Sequence, residues 1–191
     1  MFAGGLMRVE QKERAMCGAA RFRWKDLLDP LIAKGIPIGP QPKPTQEPIA
    51  TSADTDTLYE SRYWSGEPIL PVVHNGVLAL CRWGNRNETR AYPPSGWAKH
   101  ESYAAGVWDR YEPTMVTIPL VAGYEKGVWY GIDHGVCGLL VGAGADQRVY
   151  MLTTAADAAY AQLTDHDRMP WLIDQTVVVP QAGSRSQLRL W

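Results

Sequence analysis

Residues 67–84 read EPILPVVHNGVLALCRWG, two apolar runs on either side of Asn75-Gly76. An Asn-Gly pair supplies positive φ at both central positions of the two-residue turn whose twist matches antiparallel strands, so the stretch predicts a β-hairpin. Further strands are expected downstream at TMVTIPLV (114–121), GVWYGI (127–132), VCGLLVG (136–142) and RVYMLTT (148–154), which are rich in β-branched and aromatic residues and separated by glycines. A short alanine-rich helix is expected at AADAAYAQL (155–163), a last strand at QTVVV (175–179) and a tail over 180–191. NRNETRAYPPS (85–95) is polar and ends in prolines, the composition of a loop. Upstream, RFRWKDLLDPLIAKG (21–35) carries apolar residues at helical spacing, with Pro30 set to kink the helix and Gly35 to end it. The prolines between Pro37 and Pro48 form an extended surface connection. Together these elements predict one α+β domain with a mostly antiparallel, β-rich, barrel-like core and a few short helices.

Composition narrows the class. With 191 residues and 46% hydrophobic content the chain can bury one sizeable core. A net charge of -1 excludes a globally basic protein, so any nucleic-acid contact has to come from a local patch. Arg82, Arg86, Arg90 and Lys99 form such a locally basic region. Three cysteines without regular spacing argue against a disulfide framework and for a reducing, cytoplasmic setting. No apolar run reaches membrane-spanning length, and no signal-peptide core precedes the domain. Residues 1–15 lack apolar periodicity and are expected to be a leader, disordered or removed, ahead of a domain over 16–179.

Behind that leader stands Met16-Cys17-Gly18. Cysteine at a free N-terminus holds a thiol and an α-amine on one residue, and the amine's pKa near 8 leaves an appreciable neutral fraction at physiological pH. The amine forms a Schiff base with an aldehyde, and the thiolate then closes a thiazolidine ring. Cys17 has this chemistry only once everything through Met16 is lost; otherwise it is a small apolar residue. His134 and Cys137 without a second ligand pair fall short of a zinc site, and no metal or other cofactor is expected. Gly142 and Gly144 lack the Lys-Ser/Thr ending of a phosphate loop.

Several further motifs follow Met-Cys-Gly in order: Pro44-Thr45-Gln46, Arg82-Trp83-Gly84, PSGWAKHES (94–102), IPLVAGYEK (118–126) and a closing His166-Asp167-Arg168-Met169-Pro170 after Thr153-Thr154. In this order and over nearly all of residues 16–174, the chain resembles the SRAP family, the SOS response-associated peptidase-like proteins that include abasic-site shields. His-x-Arg-Met-Pro is the most specific of these matches. The chain departs from the family pattern at Ala19, where Arg is usual, at Trp97 in the place of an Asn, at Lys99 in the place of Arg, and at Ala122.

The resemblance implies an SRAP-like fold and a monomer that crosslinks covalently to abasic sites in single-stranded DNA through Cys17, after self-cleavage or methionine removal. It also implies roles for two further residues. Glu125 would help expose the N-terminus and relay protons, and His166 would promote sugar-ring opening and Schiff-base formation by acid-base catalysis. Arg82, Trp83, Trp97, Lys99 and Arg168 would contact the DNA, cations meeting phosphates and indoles meeting unstacked bases. The ordinary reading of an isolated Glu125 or His166 is a solvated surface group, and Trp83 at a strand end is equally a core residue. Two other functions fit the same residues. One is a cysteine peptidase acting on itself without DNA; the other is a noncatalytic single-strand binding module.

Overall fold

The structure, a computed structural model, describes residues 18–23, 58–64, 66–176 and 178–181. The Asn75-Gly76 hairpin forms as expected. Strands β3 (Ile69–His74) and β4 (Val77–Trp83) pair antiparallel with His74 opposite Val77, and the turn residues take φ of 50° and 76°. Around this hairpin the described residues form eleven strands and two short α-helices, the first of them α1 (His100–Ala104).

Three more strands complete a closed barrel: β6 (Thr114–Ile118), β9 (Val136–Val141) and β10 (Arg148–Ala155), in the cyclic order β10-β4-β3-β6-β9 and back to β10. Every pairing is antiparallel except those of β10 with β4 and with β5 (Trp97–Lys99). A second sheet has the order β2 (Leu58–Arg62), β1 (Ala19–Arg23), β7 (Ala122–Glu125), β8 (Val128–Gly131). The fold class is therefore β-rich α+β around a barrel. No helix among the described residues is long and apolar enough to cross a membrane.

β10 is the hub. Its first half lies between β9 and β4, and its second half between β5 and β11 (Arg168–Pro170). It is buried on both faces. Val149 and Met151 belong to the main core with Trp83, Ile118 and Tyr130, whereas Tyr150 and Leu152 join Trp108, Leu139 and Val141 in a smaller cluster on the opposite face. Burial on both faces explains why VYML and VCGLLV read as continuous apolar runs rather than alternating ones.

The chain leaves β4 at Gly84 and rejoins beside β10 at Gly96. The Gly84 N–H donates to the Val149 carbonyl and the Met151 N–H to the Gly96 carbonyl, so residues 85–95 form an Ω-loop rooted beside Tyr150. Asn85, 0% exposed, pins it. Its Nδ2 donates to the carbonyls of Thr89 and Tyr92 at 2.8 Å each, and its Oδ1 accepts from the Glu88 and Thr89 N–H groups. Buried Arg148 closes the base of the loop, donating to the Gly84 carbonyl and to the carboxylates of Glu88 and Asp146.

Four expectations change. Arg21, Phe22 and Arg23, expected in a helix, belong to β1, because Ala20 and Phe22 alternate inward and both edges of the strand are paired, with β2 and β7. The rest of that expected helix and the proline-rich connection lie outside the described residues. The strand expected over 114–121 ends at Ile118 because Pro119 offers no N–H, and a separate strand, β7, starts at Ala122 in the other sheet. The helix over 155–163 starts later, as α2 (Ala158–Thr164), because Asp157 caps it by accepting from the Tyr160 N–H at 2.6 Å. The described residues of QTVVV form no strand. Val179 and Gln181 each make one backbone hydrogen bond to β8, and Pro180 between them supplies no donor.

Candidate functional site

Gly18 enters β1 beside β7. Its N–H donates to the Tyr124 carbonyl at 3.1 Å, and its own carbonyl accepts from the Tyr63 N–H at 2.8 Å. The position tolerates no side chain where Trp64 sits, since a Cβ at Gly18 would stand 1.5 Å from the Trp64 ring. Cys17 itself lies outside the described residues. The residue that follows it is thus bonded to the backbone one residue before Glu125.

Glu125 ends β7 and is 2% exposed. Strand alternation puts its side chain on the inner face of the sheet, the face that also carries Ala20, Phe22 and Tyr130. Lys126 and Gly127, with φ of 44° and 93°, make the tight turn into β8. From that turn Lys126 donates Nζ hydrogen bonds to the Asp165 carbonyl and carboxylate, the latter at 3.5 Å. Asp165 is the left-handed residue that ends α2, so an ammonium group sits against the negative end of the helix. This clasp holds the turn after Glu125 against the turn before His166.

His166 is 6% exposed. Its Nδ1 accepts from the Arg168 N–H at 3.1 Å, which assigns the proton of the neutral ring to Nε2. Nε2 is buried and finds no hydrogen-bond partner among the described residues. Asp167, exposed beside it, has Oδ1 3.3 Å from Nδ1. Between the Glu125 sheet and α2 stand two buried tyrosines, with the Tyr160 hydroxyl 3.3 Å from that of Tyr130. The Glu125 carboxylate and the His166 imidazole are thus both buried, and both are of the side-chain types that move protons.

Of the five residues expected on DNA, Trp83 and Trp97 meet edge to face, and Arg82 and Lys99 stand apart. Trp83 is 0% exposed and donates Nε1 to the Gly96 carbonyl at 2.9 Å; its indole is a core group with no face for a base, because β4 turns it into the barrel. Trp97 is half-buried, edge-on to Tyr63 at 4.6 Å and to Trp83 at 5.5 Å. Lys99 is exposed at the end of β5. Along β10, Arg82 is in register with Arg148 and Lys99 with Thr153, so the alternation sets Arg82 and Lys99 on opposite faces. Arg168 is committed within the fold, donating two hydrogen bonds to Glu101 at 2.8 and 2.9 Å and one to the Thr153 carbonyl at 2.7 Å. These bonds from Arg168 are the main reason the Glu101 carboxyl is lowered to about 2.

The two described cysteines are poor nucleophiles. Burial pushes the Cys81 thiol up to about 11 and raises that of Cys137 as well, so both stay protonated at neutral pH. Three participants escape a reading of the sequence alone: Trp64, Lys126 and the Tyr130–Tyr160 pair. Only the unusual exposure of a tryptophan in a polar RYWSG segment could have marked the first. Comparison of the chain with protein-family models, with curated proteins and with solved structures finds no match.

Proposed function

We propose that this chain captures abasic sites in single-stranded DNA covalently, through an N-terminal Cys17 released by hydrolysis of the Met16–Cys17 peptide bond. The observation that carries this reading is the Gly18–Tyr124 hydrogen bond, which ties the residue after Cys17 to the strand ending in Glu125. The Lys126–Asp165 clasp, which leads on to His166, supports it.

In the proposed sequence the Glu125 carboxylate takes a proton from the α-ammonium and frees the amine. His166, in its imidazolium form, hands its Nε2 proton to the ring oxygen of the abasic sugar as the hemiacetal carbon–oxygen bond breaks, and the neutral ring then takes back the proton that the anomeric hydroxyl loses as the aldehyde forms. The amine adds to the aldehyde and water leaves, giving the imine. The Cys17 sulfur then adds to the imine carbon while the nitrogen takes up the thiol's proton, which closes the thiazolidine. Burial strengthens each of these interactions by excluding water.

The test is direct. Protein whose intact mass begins at Cys17 is incubated with single-stranded oligonucleotide carrying one abasic site, and a heat-resistant, slower-migrating adduct is expected. Cys17→Ala abolishes it, and Glu125→Gln and His166→Ala slow it by about a hundredfold or more, the usual worth of one acid-base group. No adduct from verified Cys17-terminated protein rejects the reading.

A further inference from the structure

Trp64 is 55% exposed, an unusual place for the largest side chain. One edge of its ring rests on Gly18, the residue after the proposed nucleophile. Behind it runs a row of aromatics: Trp64 to Tyr124 with centroids 6.2 Å apart, Tyr124 to Trp129 at 5.2 Å, and the Arg21 guanidinium 3.6 Å from the Trp129 ring centroid. Both arginines near it in sequence are paired, Arg62 with Glu60 at 2.5 Å and Arg86 with Glu88 at 3.8 Å, so the indole is the feature left facing solvent.

An exposed indole backed by a row of aromatic rings offers a free face to an unstacked base. We propose that Trp64 is the stacking platform for the base next to the captured sugar. It makes the chain prefer an abasic site that has a base, above all a purine, on the adjoining nucleotide. The inference rests on the covalent-capture reading, because that reading is what puts a sugar at Cys17.

The experiment measures adduct formation on two single-stranded oligonucleotides of equal charge. In one, the abasic site is flanked by adenines; in the other, by base-free spacers. The quantity read is the ratio of the two rates, so a general loss of activity cancels. The wild-type chain is expected to favour the adenine-flanked strand about tenfold, Trp64→Phe to keep part of that preference, and Trp64→Ala to lose it. Equal wild-type rates on the two strands, or a preference that survives Trp64→Ala, overturn the platform while leaving covalent capture standing. If no adduct forms at all, capture fails, and the platform is judged by fluorescence anisotropy of labelled oligoadenylate and of a base-free strand. A drop of about tenfold on Trp64→Ala for oligoadenylate alone supports it, and equal effects on both strands reject it. Should Trp64→Ala not fold, the Trp64→Phe ratio decides: no decrease from wild type refutes the proposal.

Discussion

Replacing Asn85 by Ala tests what organises the Ω-loop. The side chain makes three well-formed hydrogen bonds, to Thr89, Tyr92 and Glu88 at 2.8, 2.8 and 3.0 Å, and a weaker one at 3.4 Å. At about 1 kcal/mol net for each good bond, removing them costs about 3 kcal/mol. Glu88 is exposed and Thr89 and Tyr92 are half-buried, so water reaches the orphaned groups and the cost stays near that figure. For a chain of this length, 1 kcal/mol moves Tm by about 2–4 °C, so Asn85→Ala should melt about 6–12 °C lower by circular dichroism. Trypsin should also cut faster after Arg86 and Arg90, because the loop opens before the barrel does. Asn85→Asp keeps the acceptor but loses both donated bonds and turns a carboxylate toward two carbonyls, so it should fare no better than Ala. A melting change under about 2 °C with unchanged trypsin rates, or an Asp variant clearly more stable than Ala, would refute the reasoning.

Glu101 is held below its unfolded value by Arg168, so its contribution to stability is present above about 4.5 and fades as pH falls toward about 2. Stability measured over that window should fall less steeply in Glu101→Gln than in the wild type. Gly18→Ala must expel the Trp64 ring; a loss of about 1–2 kcal/mol and a red-shifted tryptophan emission are expected, and an unchanged spectrum contradicts the contact. Trp83→Ala empties the centre of the main core and should cost about 3–5 kcal/mol in a urea titration. Cys81, pushed up to about 11 by burial, should be alkylated by iodoacetamide at pH 8 at well under a tenth of the rate of the same thiol in urea.

Much of the barrel was legible because its signals are local. Asn75-Gly76 announces its turn, and the apolar run of β10 reflects burial on both faces. What was not legible depends on partners distant in sequence. Arg21–Arg23 sits in a stretch with helical spacing, and only the two strands flanking it make it β1. The β2 segment LYESR is polar and gives no strand signal; it pairs because β1 offers a free edge. At the candidate site, Glu125 and His166 were named from motif order, whereas the clasp that joins their turns pairs Lys126 with a residue 39 positions away. Arg82 and Lys99 read as neighbours in one basic region, yet strand alternation separates them. Arg168 was expected on DNA, and its bond to Glu101 was not legible because the two are 67 residues apart.

The root of the Ω-loop has one more implication. Because Gly84 and Gly96 bond to Val149 and Met151, on either side of a single residue of β10, the backbone of the loop leaves and rejoins the barrel wall at one place. Its length can change without shifting any strand pairing, so this segment is where diversification should be tolerated. Grafting foreign sequence between Asn85 and Ser95, with Asn85 and Arg148 kept as anchors, turns the barrel into a carrier for exchangeable recognition loops.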